Sequence, residues 1–523
     1  ATAMAAMWKS SLLSSFLLLL LQPAAALPTG TFEADIALIT PPPDPRAVYA
    51  AQELRRRGVI SDITAALNSD LNSIFSELGS AVPSYVASGV LPAFQGYPTG
   101  SSAILKSVGG KSSDLDAQPT QVLNLPGYGN WTELGWNLRF HGNVFKAPAN
   151  VPNATWNDLA NKFLINTKVQ NLPPAQSAQA VNLTKEIFVV QQANQNVTFN
   201  VLPGPSDVTG GVTTAAGSEL ITLPYETTKE GDFDVFLPLT NATLTGLTGL
   251  IPGNGSVAPQ TVSVYANGTD TGNATSYLIS QNGLTVVSDI DDTLRVTKIY
   301  EPAQGLLNTF ARPFTNWMNM PDIYANWSKA LPELHFHYLT TTPEQITRNY
   351  MQYTLANYPG GSFDTRPLNF SDVSATLSIR KFLLVKLFQT FPHRKFILMG
   401  DTSNSDVMRD YPAMATEFPG QVQCILIRNI SSTDAGDKFP YDTSGFKNLN
   451  QQNYMFYHVP NDLTNLDIVG GHCLNSTIKQ NVTFSYQGLP FGLSDSSSGA
   501  AEKARSKAAA FLIPMIAFMV IAL

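Results

Sequence analysis

Three carboxylates, Asp289, Asp291 and Asp292, crowd the stretch LTVVSDIDDTLRVT at residues 284–297. The apolar, β-branched run at 284–287 has the character of a strand buried on both faces, which places the acids at its carboxyl end. Like charges held this close repel, so such a cluster is stable only where a cation or a shared proton neutralises part of it. An isolated Asp-rich tripeptide is usually a solvated turn. The strand before it and the matching elements after it argue instead for chemistry. Asp289 is placed to attack phosphorus through its carboxylate and form an aspartyl-phosphate. Side chains two apart on extended backbone point the same way, so Asp291 reaches the same substrate, to protonate the leaving oxygen and later activate water. Thr293 is expected to fix the turn through a local hydrogen bond.

The elements that must position these groups follow in order. FHYL (336–339), KFILMG (395–400) and QCILIR (423–428) are apolar, strand-like runs separated by helical segments, the pattern of a parallel α/β sheet. Sites in such sheets lie at the carboxyl ends of the strands. There, Thr340 opens the turn TTTP, where a hydroxyl and backbone N–H groups suit a phosphoryl oxygen. A helix at about 379–390 carries Arg380 and Lys381. One cation is needed near the aspartates, and the choice between these neighbours is open, with Lys381 slightly preferred and a solvated helix charge as the plain alternative. GDTSNSD (400–406) sets Asp401 directly after a strand and Asp406 five residues on. These hard oxygen ligands suit Mg²⁺, which takes one or two carboxylates plus phosphate and supplies the missing counter-charge.

The ordered set DIDDTLRVT, LNTFARPF, FHYLTTTP, PGGSFDTRPL, RKFILMGDTSNSD and CILIRNI, over about 284–429, resembles the catalytic domain of the actin-patch-associated phosphatidate phosphatases. This is a fungal and bacterial family of the haloacid dehalogenase-like (HAD-like) superfamily. The resemblance implies a Rossmann-like core and Mg²⁺-dependent hydrolysis of phosphatidate to diacylglycerol and phosphate. It makes Asp289 the nucleophile and a metal ligand, and Asp291 the acid/base and a ligand through its carbonyl. Thr340 becomes the phosphate-binding hydroxyl, Lys381 or Arg380 the cation, and Asp401 with Asp406 the metal-binding acids. Two departures stand out: the family's Ser-Asn-Ser-Pro is Thr340-Thr341-Thr342-Pro343 here, and a gapless reading sets Arg380 where the family has Lys.

Around this segment the composition is globular: 523 residues, 44% hydrophobic and 14% charged, are enough for two or three domains. A net charge of −7 argues against a nucleic-acid partner. Lys9, the apolar run 12–21 and Ala24-x-Ala26 resemble a secretory signal peptide, with cleavage expected after Ala26. Small residues Ser496 to Gly499, a polar spacer and an apolar tail at 508–523 resemble a glycosylphosphatidylinositol (GPI) attachment signal, with Ser497 or Ser498 as anchor site; a single C-terminal membrane helix is the alternative. Thirteen Asn-x-Ser/Thr sequons agree with a secretory route to the cell surface. Cys424 and Cys473 suit either one disulfide or two buried thiols.

The expected organisation is a signal peptide (1–26), a helical and linker region (27–130), a β-rich, sandwich-like domain (131–281), the α/β catalytic domain (284–460), a tail (461–498) and the attachment signal (499–523). Residues 48–87 carry helical spacing, while GYPTGSS and KSSDLDAQPT read as loop. Short alternating runs such as WNLRFHGNVF, KEIFVVQQ and NVTFNVL mark the β-rich domain. His141, His335 and His337 are expected to be structural. Phe310, Phe314, Trp317, Tyr324 and Trp327 suit either a core or an apolar cover for acyl chains. The expected function is a membrane-anchored phosphatidate phosphatase. The alternatives are a phosphatase of another lumenal phosphomonoester and an inactive GPI-anchored scaffold.

Overall fold

Ile104, Leu105 and Val108 are buried along one side of α1 (Ser101–Val108), and Leu115 is buried in α2 (Ser112–Asp116). Of the two segments expected to be loop, GYPTGSS is helical at Ser101 and Ser102, where α1 begins, and KSSDLDAQPT is helical from Ser112 to Asp116, because tertiary burial outweighs the weak local propensity of their Ser residues. The structure is a computed structural model that describes residues 101–485 except 133–134, 165–166, 205–218, 229–230, 240–249, 256–257, 367–372, 435–440 and 481. The expectations for 1–26, 48–87 and 499–523 fall outside the described residues.

Next come β1 (Gln121–Asn124), β2 (Tyr128–Thr132), β3 (Gly135–Lys146), α3 (Asn153–Ala160), α4 (Pro174–Ile187), β4 (Val190–Gln191), β5 (Thr198–Pro203), β6 (Glu219–Thr222), β7 (Asp232–Pro238), β8 (Gln260–Ala266) and β9 (Asn273–Ile279). The strands form one nine-stranded sheet in the order β1-β3-β2-β9-β8-β5-β6, with β4 and β7 also paired to β3. Only β2 with β9 is parallel. The sheet curls over itself, so that Phe140 of β3 stacks on Phe199 of β5 at 5.1 Å within a core that includes Trp136, Leu138 and Val264. This is the β-rich, sandwich-like part. Helices α3 and α4 interrupt it, which the alternating pattern did not reveal. Pro152 and Pro173 precede their first turns, Ala and Gln favour the helix in PAQSAQA, and Trp156, Leu159, Leu183 and Ile187 bury the inner faces. KEIFVVQQ accordingly divides between the end of α4 and β4.

The α/β part contains β10 (Leu284–Ser288), α5 (Pro302–Phe310), α6 (Met320–Ala330), β11 (His335–Pro343), α7 (Thr347–Asn357), β12 (Ser362–Arg366), α8 (Val373–Thr390), β13 (Lys395–Asp401), α9 (Ser405–Glu417), β14 (Val422–Arg428) and β15 (Tyr454–Tyr457). Its six strands are parallel, in the order β12-β11-β10-β13-β14-β15. Val286, Val287, Ile397 and Leu398 are fully buried, as a sheet covered on both faces requires. Ser288 lies opposite both Tyr338 and Met399, so the ends of β10, β11 and β13 stand side by side. Gly400 permits this packing: a Cβ there would stand 2.6 Å from Cγ1 of Val407 in α9.

Phe310, Trp317, Tyr324 and Trp327 are buried and Phe314 packs against the same core as the last three, so of the two readings for these aromatics the core is the one observed. Leu463, Ile468 and Cys473 join that core, and Cys473 is disulfide-bonded to Cys424 of β14 with a Cα–Cα distance of 5.6 Å. His335 and His337 each share a 2.8 Å hydrogen bond with Ser362 Oγ, and His141 Nδ1 lies 3.4 Å from Asp364, structural positions all three. No helix among the described residues is long and apolar enough to cross a membrane.

Candidate active site

Asp289 sits just beyond β10 with its N–H donated to the Met399 carbonyl at 2.9 Å, which ties it to β13. Its Oδ1 accepts from Ile290 N at 2.8 Å; its Oδ2 accepts from Arg380 Nη2 at 3.1 Å and Asn404 Nδ2 at 3.0 Å. Burial pushes this carboxyl up, and the Arg380 charge opposes the shift. Asp291 accepts from Thr297 Oγ1 at 2.5 Å, Tyr350 OH at 3.0 Å and Thr342 Oγ1 at 3.4 Å. Its carboxyl is pushed up to about 6 by burial, while Arg295, at 3.7 Å, and the Thr297 hydroxyl pull it down. Arg295 itself lies over the ring of Phe314 and beside that of Tyr350, 3.5 and 5.0 Å from their centroids.

Asp292 has a different task. It adopts a left-handed φ of 54°, and its carboxylate accepts from the N–H groups of Thr297 (3.0 Å), Lys298 (2.8 Å) and Ile299 (2.8 Å). Asp tolerates this conformation better than most residues. The third acid of the cluster therefore organises the loop. Among the described residues Thr293 Oγ1 is buried without a hydrogen-bond partner; its local bond runs from its N–H to the Ile290 carbonyl at 3.4 Å, and the Asp289 and Asp292 carboxylates hold the rest of the turn.

Thr340 lies within β11, two residues beyond Tyr338, which pairs with Ser288 directly before Asp289. Leu339 pairs with Asp364 and Pro343 with Arg366, so Thr340, Thr341 and Thr342 form a bulge facing the single residue Thr365 of β12. Thr340 Oγ1 accepts from Thr342 N at 3.1 Å, and it is Thr342 that reaches Asp291. Thr342, Tyr350, Thr297 and Asn404 are site residues that the sequence reading did not select. Only Asn404 left a local trace, as the cap residue before α9.

The structure separates the two candidate cations. Arg380 is fully buried against Asp289, whereas Lys381 reaches away to Glu417 in a partly exposed pair. Lys381 is therefore corrected to a surface residue. The reason is helical phase: Arg380, Leu383, Leu384 and Leu387 recur at intervals of three and four and share the buried face, and the next residue in sequence turns about 100° off it.

Asp401 closes the cluster. Its Oδ1 accepts from the N–H and hydroxyl of Ser403, while its buried Oδ2 has no hydrogen-bond partner among the described residues. Burial, then the charges of Asp292 and Asp289, push its carboxyl well up. Asp406 is pushed up to about 6 by burial, with Arg409, 3.2 Å away, opposing. Asn404 links these acids, for its Oδ1 caps α9 by accepting from Asp406 N and Val407 N while its amide donates to Asp289. Among the described residues, no three His, Cys, Asp or Glu side chains form a metal cage. The fit is to an ion that needs fewer: Asp289 and the orphaned oxygen of Asp401 are two hard donors, enough for Mg²⁺ with a phosphate completing the shell. Asp406 is a further buried acid, 3.2 Å from Arg409.

Residues 284–429 match the family described as Phosphatidate phosphatase APP1, catalytic domain. The chain is similar to Phosphatidate phosphatase APP1 of Saccharomyces cerevisiae, 29% identical over 163 residues, covering 30% of this chain and 27% of that protein. It is also 25% identical over 166 residues to an uncharacterized protein of Schizosaccharomyces pombe, with 30% and 27% covered. The chain thus matches about a quarter of the length of these curated relatives.

Proposed function

We propose, from the match of residues 284–429 to the phosphatidate phosphatase catalytic-domain family, that this chain is a Mg²⁺-dependent, HAD-type phosphatase that hydrolyses phosphatidate to diacylglycerol and phosphate. The observation that carries the reading is the meeting of Asp289, Asp291, Arg380, Asn404 and Asp401 at adjoining strand ends inside the matched segment.

In this mechanism Asp289 Oδ attacks phosphorus, a P–O bond forms to the carboxylate, and the bond to the glycerol oxygen breaks. Asp291 gives its proton to that departing oxygen. It then takes a proton from water as the water attacks the aspartyl-phosphate, which releases phosphate and restores Asp289. Arg380 and the Asn404 amide hold Asp289 in its attacking orientation, and Arg380 also balances charge on the phosphoryl oxygens. Tyr350 and Thr342 orient Asp291. Asp289, Asp401, Asp406 and the Asp291 carbonyl would hold Mg²⁺, which would supply the remaining positive charge. The Thr340 bulge offers hydroxyl and N–H groups to the phosphate.

The location proposed is the secretory pathway and the cell surface, with attachment through a lipid anchor. Support comes from the Cys424–Cys473 disulfide, a bond of oxidising compartments, and from the exposure of the sequon residues Asn153, Asn182, Asn196, Asn254, Asn267 and Asn326.

The test is phosphate release by the purified glycosylated chain from phosphatidate and from a soluble phosphomonoester, with and without Mg²⁺, beside Asp289→Asn. Mg²⁺-dependent release from phosphatidate that the variant lacks is expected. Release from the soluble ester alone would reassign the substrate, and no release from either would leave the scaffold reading in its place.

A further inference from the structure

The β-rich and α/β parts meet through a buried ionic cluster. Arg139, in the middle of β3, directs Nη1 to both oxygens of Asp364 in β12, at 2.8 and 2.9 Å. Its Nε and Nη2 engage Asp234 of β7 at 2.8 and 3.0 Å, and Lys386 of α8 pairs with the same Asp234. Arg139 and Asp364 are 2% and 0% exposed. A buried guanidinium fork this fully engaged fixes geometry, since its donors have fixed directions and both carboxylates would lose their bidentate partner without it.

What Asp364 fixes lies next to the chemistry. It pairs with Leu339, the last residue before the bulge, and its neighbour Thr365 is the one residue opposite the bulge. Thr365 donates its hydroxyl to the Thr342 carbonyl and shares a 2.9 Å hydrogen bond with Thr347. Thr342 in turn donates to Asp291. A second tie, from Phe363 N to the Pro126 carbonyl at 2.8 Å, holds the same strand to the β1–β2 loop.

We infer that Arg139 is a positioning residue: through Asp364 and Thr365 it braces the Thr340–Thr342 bulge and so aims the phosphate-binding loop and Asp291. The β-rich domain is then part of the catalytic apparatus without touching substrate. The inference rests on the phosphatase reading for its kinetic arm but not for its structural arm.

The experiment compares the full chain with Arg139→Lys, Asp364→Asn, Thr365→Val, Thr365→Ser and the Arg139→Lys/Thr365→Val double variant. Two readouts are taken: kcat and KM for phosphate release, and amide hydrogen exchange over residues 338–345. Arg139→Lys and Thr365→Val are each expected to lower kcat about tenfold with KM within about twofold, the cost of a small misplacement transmitted to a reacting group. The double variant should be little worse than either single, because both break one brace. Thr365→Ser should recover near wild-type kcat. Exchange at the bulge should quicken in the impaired variants while exchange in β13 stays constant. Unchanged bulge exchange in a folded Arg139→Lys or Asp364→Asn protein would overturn the inference, as would multiplicative kinetic losses or failure of Thr365→Ser to rescue. If the wild type released no phosphate, the phosphatase reading would fall, and the exchange measurement alone would decide the brace. Should Arg139→Lys not fold, Asp364→Asn carries the same comparison.

Discussion

Arg380 Nη2 stands 3.1 Å from Asp289 Oδ2, with the arginine fully buried and the aspartate 2% exposed. This is the only ion pair formed by Asp289 among the described residues, so the guanidinium carries much of the burden of keeping that carboxylate charged. Arg380→Ala is expected to lower kcat about 10²- to 10³-fold, the usual loss for a preorganised charge at a reacting centre, and Arg380→Lys to recover part of it. Lys381→Ala should leave kcat unchanged and shift stability by no more than about 0.5 kcal/mol, as partly exposed ion pairs do. Steady-state phosphate release checks all three; a large loss in Lys381→Ala would refute the assignment.

Asn404 serves two masters, capping α9 with its oxygen and steadying Asp289 with its amide. Asn404→Ala should cost about 1 kcal/mol of stability through the cap and reduce kcat as well. Asn404→Ser restores a capping oxygen but is too short to serve Asp289. Urea midpoints should therefore recover in Ser while kcat does not. Parallel recovery of both would mean that the cap alone accounts for the residue.

Glu186 lines a cavity of about 130 Å³ with Leu123, Phe145 and Arg348. Burial pushes its carboxyl from 4.5 up to about 7, against the pull of Arg348. A carboxyl raised by folding binds more protons in the folded state, so its contribution to stability is complete below about pH 4.5 and is lost as the pH rises through about 7. With allowance for partial exposure, the loss is of order 2 kcal/mol. Urea unfolding between pH 4.5 and 8 should show that Glu186→Gln removes this decline and is the more stable protein at pH 8. Superimposable pH profiles for the two proteins would exclude it.

The disulfide spans 49 residues of sequence, from β14, next to the edge strand β15, to the segment after β15. Closing a loop of this size restricts the unfolded chain by up to about 4 kcal/mol. Cys424→Ala/Cys473→Ala, or the wild type equilibrated with reductant, should unfold at lower urea by roughly 2–4 kcal/mol. Equal urea midpoints with and without reductant would show that the bond does not form.

The strands beginning at 284, 336, 395 and 423 were legible because a fully covered strand must be apolar on both faces, and few other local structures need that composition. Asp289, Asp291 and Asp401 were legible because they stand at the ends of such strands. β12 was not read as a strand from its residues: SFDTR is polar because Ser362 faces two histidines and Asp364 faces Arg139, partners supplied from elsewhere in the chain. Thr342 and Tyr350 escaped for a related reason, since a bulge and a separate helix bring them to Asp291. Arg380 was within reach of the sequence. Its spacing from Leu383, Leu384 and Leu387 already distinguished it from Lys381, had the helix been phased on its buried leucines.

β12 is the terminal strand on its side of the six-stranded sheet, and beyond it lies the Pro126 carbonyl. With residues before 284 removed, that row of main-chain donors and acceptors would lie bare beside an Asp364 deprived of its arginine, a template on which another molecule can add a strand. Residues 284–485 alone should therefore elute from a sizing column as soluble aggregates, and a monomeric peak would contradict this. In this view the β-rich domain also works as an edge guard, and the practical boundary of a well-behaved fragment falls before β1, well upstream of Asp289.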